Sequence, residues 1–162
     1  LGLMYSDLYE RMASKDLCYF YWQYEHYLRV NFQPKSSPMS EQELCSQNSK
    51  FKMSIEHIAS QNPRAGVITD MSIIPDITEE FQEKYLHCIG NLTLDPLSAN
   101  SSKGNIDFDC KNAGYFNKSS FKCQNELNEF LDDGKWTDVS INSRAEKLAR
   151  FALEKWSATF EK

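Results

Sequence analysis

The feature that most constrains this chain is a helical periodicity at both of its ends. Leu17, Phe20, Tyr21, Tyr24 and Leu28 recur every three or four residues, which gathers them on one face of a helix predicted over residues 4–32. Ile141, Ala145, Leu148, Ala152 and Trp156 repeat the pattern in a helix predicted from about residue 141 to the end. Apolar stripes of this kind must be covered by other elements. Between them only two short strands are expected. Residues 52–58 alternate enough for one and end on Glu56-His57-Ile58, and residues 91–97 give the other. The fold class that follows is α+β, mostly α-helical, with helices packed around one small strand–strand–helix unit at about residues 52–106.

The remaining punctuation fits that plan. Residues 33–39 hold two Pro and two Ser and read as a loop, with a short helix near residues 41–47. Residues 59–77 are irregular. Thr78 is placed to cap a helix whose Phe81, Tyr85 and Cys88 face inward and which Gly90 ends. Ser98 caps a short helix carrying Asn100 and Lys103. Ser119 or Ser120 opens another, with Cys123, Leu127, Phe130 and Leu131 as its stripe and Gly134 as its stop. The C-terminal helices are thus expected over residues 119–161. No repeat or internal boundary is visible, and 162 residues suit a single domain over 1–162. A first residue of Leu1 gives the expectation that this is a C-terminal fragment of a longer protein.

Composition excludes several classes. Hydrophobic residues make up 41% of the chain, with 10 Phe, 8 Tyr and 3 Trp, enough to build a core rather than a disordered segment. The five cysteines, Cys18, Cys45, Cys88, Cys110 and Cys123, are odd in number and contain no C-x-x-C pair. That argues against a disulfide framework and a structural zinc site, and for reduced thiols in the cytoplasm. No apolar run is long enough for a bilayer, so no membrane partner is expected. The formal net charge of -5 is not that of a strongly basic nucleic-acid binder. A cleft needs only local positive charge.

The chemistry concentrates in three places. Glu56-His57 stands at the end of the first strand. Gly90-Asn91-Leu92-Thr93-Leu94 opens the second. Asn100-Ser101-Ser102-Lys103 lies on the helix that follows. Alone, an acid beside a histidine is ordinary. Acid–His, then Asn, then Asn, on strand, strand and helix, is the order that a ββα-metal nuclease requires.

The wider pattern resembles one family. Ile55-Glu56-His57-Ile58, Ile89 to Leu94, Asn100, Lys111 with Tyr115, and Ile141-x-x-Arg144 before Trp156 are similar to the domain-of-unknown-function 1524 family. Its members are HNH (His-Me finger) nucleases at the C-terminal end of GmrSD-type type IV restriction enzymes and related phage-defence proteins. Residues 21–29 are similar to the helix that precedes the motif there. The family's Pro soon after the E-H-I triplet is replaced by Ala59-Ser60, and Pro appears only at Pro63.

The resemblance implies a ββα-metal unit and a set of roles. His57 is the general base, with an ordinary pKa near 6.5 suited to neutral pH. Asn91 holds the far imidazole nitrogen. Glu56 and the amide oxygen of Asn100 hold one divalent cation, Mg²⁺ or Mn²⁺, as hard oxygen donors do. The implied activity is cleavage of foreign or phage DNA, nicked or cut through. An upstream regulatory or nucleotide-hydrolysing domain controls it, and a homodimer is a further option.

Other residues carry paired readings. Lys103 touches the phosphate or is a solvated lysine. Lys111 and Arg144 contact phosphate or tie helices together. His87 supports the site or substrate, or packs. Asn105 extends the polar face of its helix or caps its end. Two rival functions stand beside DNA hydrolysis: a ribonuclease using the same site, and a non-catalytic module that binds DNA or protein.

Overall fold

The computed structural model describes residues 8–32, 37–44, 46, 52–61 and 79–157. Its first helices are α1 (Leu8–Arg11) and α2 (Ser14–Asn31). The single helix predicted over 4–32 is therefore two, because Ala13 takes an extended backbone at ψ 139° and restarts the hydrogen-bond ladder. Residues 4–7 lie outside the described residues. The predicted stripe is the buried face of α2: Leu17, Tyr21, Tyr24 and Leu28 are enclosed, and Phe20 packs at its margin. A short α3 (Glu41–Leu44) follows.

Strands β1 (Met53–His57) and β2 (Leu92–Pro96) pair antiparallel, with Ile55 opposite Leu94 and His57 opposite Leu92. They lie within a residue of their predicted bounds. Between them, α4 (Glu79–Phe81) widens into a π-helical stretch, Gln82–Leu86, and a 3₁₀ turn over Ile89–Asn91 leads into β2. The capping expected of Thr78 and the irregular run through residue 77 lie mostly outside the described residues. Helix α5 (Leu97–Lys103) leaves β2 directly and packs on both strands. The described chain is thus α+β and mostly helical, with one two-stranded sheet.

Helix α6 (Phe108–Gly114) was not predicted from the sequence. Its stretch FDCKNAG has little apolar periodicity, and what starts it is Asp107, whose carboxylate accepts the Cys110 N–H at 2.7 Å. The helix expected after Ser119 is split into α7 (Lys122–Asn125) and a 3₁₀ turn over Glu126–Phe130. Helix α8 (Asp138–Trp156) starts before Ile141 because Thr137 and Ser140 cap each other across its first turn. Its stripe buries Ile141, Ala145 and Leu148, while Trp156 remains largely exposed. No described helix is long and apolar enough to cross a membrane. Cys18, Cys88, Cys110 and Cys123 are free thiols.

A two-stranded sheet has two outer edges, and that of β2 is closed by side chains. Leu92 and Leu94 are two residues apart, so their carbonyls point the same way. Arg144 Nη1 on α8 donates to Leu92 O at 2.6 Å, and Gln124 Nε2 on α7 donates to Leu94 O at 2.7 Å. Helix α7 is held in turn by the buried Glu25 of α2, whose carboxylate accepts the N–H groups of Lys122 and Cys123 at 2.9 and 2.8 Å. Each buried carbonyl or N–H left unpaired would cost about 1–3 kcal/mol.

Gly90 does not act as the predicted helix stop. It sits in the 3₁₀ turn under α8, where a Cβ would lie 2.0 Å from the Ile141 carbonyl oxygen. Glycine is needed here for close approach of two backbones, not for a left-handed conformation.

Candidate active site

The end of β1 carries two buried ionisable groups side by side, Glu56 and His57. They line a cavity of about 280 Å³ together with Asn100 of α5, Asn105 beyond it and Lys111 of α6. The end of β1 thus meets the α5–α6 segment, more than 40 residues later in the chain, at one hollow, and five of the predicted site residues are among its walls.

Lys111 is the brace. Its Nζ lies 2.8 Å from Glu56 Oε1, an ion pair by distance though not aligned as a hydrogen bond, and donates to the His57 carbonyl at 2.7 Å. It is almost wholly buried, which supports its structural reading over direct phosphate contact. Burial raises the Glu56 carboxyl and lowers the Lys111 ammonium, and each charge opposes the shift of the other.

His57 has its Nε2 3.2 Å from His87 Nδ1 and 3.3 Å from the Gln61 side-chain amide. Tyr9 of α1 meets its ring edge-on at 4.5 Å. Burial first, then His87 and the Lys111 charge, lower the His57 pKa to about 3. The imidazole is neutral at pH 7, the state in which a base can accept a proton.

Asn91 has a different role from the one predicted. Its Oδ1 accepts from the Ala59 N–H at 2.9 Å and Trp136 Nε1 at 3.2 Å. Its Nδ2 donates to Leu86 O at 2.9 Å and Ala59 O at 3.5 Å. Four contacts fill the hydrogen-bonding capacity of an amide, so none remains for the imidazole. Asn91 instead ties the backbone just beyond His57 to the turn before β2. The side chains that reach the imidazole, both at Nε2, are His87 and Gln61.

Asn100 points its Nδ2 at Ser54 Oγ and Ile55 O, both at 3.0 Å. Those two donations fix the amide and leave Oδ1 as its uncommitted acceptor among the described residues. Asn105 Oδ1 accepts from Ser60 Oγ at 3.1 Å and so joins the end of α5 to the loop after β1.

Lys103 and Arg144 leave the list of substrate contacts. Lys103 is buried, with Nζ 2.5 Å from Asp95 Oδ2 and within 5.4 Å of the Tyr115 and Phe116 ring centres. It is neither a phosphate contact nor a solvated lysine. Arg144 is 0% exposed and donates to Gly90 O, Leu92 O and Cys123 O. Its guanidinium fork matches carbonyls of two segments at once, which lysine cannot do. Arg144→Lys is therefore expected to lose about 1–3 kcal/mol in chemical denaturation, although the charge is kept. A phosphate contact would instead show unchanged stability and weaker DNA binding.

Sequence reasoning missed Tyr9, Gln61 and Asp95. The acid on β2 ahead of Lys103 was a usable signal for Asp95, and nothing local marks the other two.

No cluster of three or more His, Cys, Asp or Glu side chains among the described residues is arranged to hold a metal. A cation here would rest on one Glu56 oxygen and Asn100 Oδ1. That pair fits a hard divalent ion that keeps water or substrate oxygens in its other positions, and does not suit zinc.

Comparison with known proteins adds one match. A family profile described as "GmrSD restriction endonucleases, C-terminal domain" matches residues 4–151. No curated protein and no solved structure matches the chain.

Proposed function

This chain belongs to the family of GmrSD restriction endonuclease C-terminal domains, and from that premise we propose that it is a metal-dependent, HNH-type endonuclease that hydrolyses DNA phosphodiester bonds. The observation that carries the reading is the convergence of Glu56, a neutral His57 and the free amide oxygen of Asn100 on one cavity. Glu56 and His57 come from β1 and Asn100 from α5, and the succession β1, β2, α5 is the element order that a ββα-metal unit uses.

His57 accepts a proton from water at Nδ1, the ring nitrogen opposite the His87 contact, and the hydroxide formed attacks phosphorus. The bond from phosphorus to the 3′ oxygen breaks, and that oxygen is protonated from solvent. Glu56 and Asn100 hold a divalent cation, Mg²⁺ or Mn²⁺. When bound, the cation stabilises the charge that builds on the phosphoryl and leaving oxygens. Lys111 keeps Glu56 in place and holds the His57 carbonyl, so the base and the ligand move as one unit. Asn91 prevents the backbone beyond His57 from drifting away from the cavity.

Supercoiled plasmid and a matched RNA, incubated side by side with Mg²⁺, Mn²⁺ or EDTA, test the proposal. Nicked or linear DNA in the metal lanes alone is expected. Intact plasmid under every condition rejects the nuclease reading, and cleavage confined to RNA redirects it. In the same assay Asn100→Ala should raise the Mn²⁺ needed for half-maximal cleavage by about tenfold or more, with activity returning at high Mn²⁺. No return at any concentration would separate Asn100 from the metal.

A further inference from the structure

We propose that His87 is a positioning residue that sets the tautomer of His57, and that Glu10 completes a carboxylate–histidine–histidine chain behind the cavity. This rests on the nuclease reading for its consequence, but its geometry is independent of that reading.

The argument is one of donors and acceptors. A neutral imidazole has one N–H and one bare nitrogen. His87 Nε2 lies 3.7 Å from the Glu10 carboxylate, which can only accept. That contact favours the proton on His87 Nε2 and leaves its Nδ1 bare. His87 Nδ1 lies 3.2 Å from His57 Nε2, so with His87 in that form the proton between them sits on His57 Nε2. His57 Nδ1 is then the bare nitrogen. The state of one ring dictates the state of the next.

The surroundings hold the chain in register. Tyr9 lies edge-on to the His57 ring at 4.5 Å and stacks on the His87 ring at 5.4 Å with only 12° between planes. One phenol ring therefore wedges both imidazoles, and Glu10 is its neighbour on α1. Gln61 must adjust to this chain: its amide nitrogen lies 3.3 Å from the same Nε2, and the Nε2–H form of His57 requires the amide to turn over and bring its oxygen to the ring.

The chain has two effects on the reaction. It keeps the whole population of His57 with Nδ1 ready for water, rather than divided between tautomers. When Nδ1 takes the proton from water, Nε2 keeps its own proton in the bond to His87, and the Glu10 carboxylate offsets the positive charge through the second ring.

The protein has three histidines, so their ring nitrogens can be assigned with a single His26→Gln control. Long-range ¹H–¹⁵N correlation spectra at neutral pH should report His57 and His87 both protonated on Nε2. His87→Ala should divide His57 between tautomers and lower kcat by about 10–100-fold with little change in KM. His87→Asn offers an amide oxygen near the position of Nδ1 and should restore the Nε2–H form and most of kcat. His57 protonated on Nδ1 in the parent protein overturns the proposal. So does an unchanged His57 tautomer in His87→Ala, or an Asn variant that is folded by thermal melting yet no better than Ala. If the parent protein cleaves nothing, the nuclease reading falls while the spectra still decide the role of His87.

Discussion

His57→Ala is expected to lower the single-turnover rate of plasmid cleavage by about 10²–10⁴-fold, the range that a positioned general base contributes. DNA affinity, read by fluorescence anisotropy, should stay close to that of the parent protein. The separation follows from the geometry. His57 is buried and neutral, so it offers no charge to the phosphate backbone. Its removal also leaves Glu56, Lys111 and Asn100 in their own hydrogen bonds and ion pairs. A residual rate within about tenfold of the parent lies below what a general base supplies and would remove His57 from that role. A parallel loss of affinity would point to a collapsed cavity instead, which a thermal melt of the variant would reveal.

Gly90→Ala should have the largest effect on stability of any glycine-to-alanine change among the described glycines. The new carbon would lie 2.0 Å from the Ile141 carbonyl oxygen, 2.9 Å from its carbon and 3.1 Å from the Ala145 nitrogen. All three are backbone atoms of α8, so no side chain can rotate away. Either the helix lifts off the 89–91 turn or the turn unwinds, at a cost of about 3 kcal/mol or more. For a chain of this length the melting temperature should fall by about 6–12 °C. Gly114→Ala is the matched control. A Cβ there meets nothing within 4 Å, and the residue closes α6. That variant should be neutral or gain about 0.4–1 kcal/mol. Equal melting temperatures for the two variants would mean that the close approach at Gly90 is not needed.

The sequence made the helical faces and both strands legible because periodicity is written in residue order. It also singled out Glu56, His57 and Asn100, which the fold brings to the wall of one cavity. It misjudged residues whose partners are distant or are backbone atoms. Lys103 lies one helical turn from Asn100 and therefore reads as sharing its face, yet its ammonium turns inward to Asp95, eight residues before it. The hydrogen-bond acceptors of Arg144 are carbonyls at 90, 92 and 123, which no side-chain pattern records, and its one carboxylate neighbour, Glu126, lies 18 residues away in sequence. Asn91 reads as a partner of the His57 ring, but its amide holds backbone atoms of Ala59 and Leu86 and the indole N–H of Trp136. Helix α6 escaped notice because its sequence lacks an apolar stripe, although it carries Lys111 into the cavity.

The closure of the β2 edge by Arg144 and Gln124 bears on the order in which the molecule can come into being. A sheet of only two short strands is marginal by itself in water. Here its free rim is met by groups from about 30 to 50 positions later in the chain. Contacts of such long range are late to form and slow the search for the native state. During synthesis, the strand bearing Glu56 and His57 therefore emerges long before the segment that steadies its partner. The sheet that carries Glu56 and His57 is thus completed only after the segments of α7 and α8 have been made.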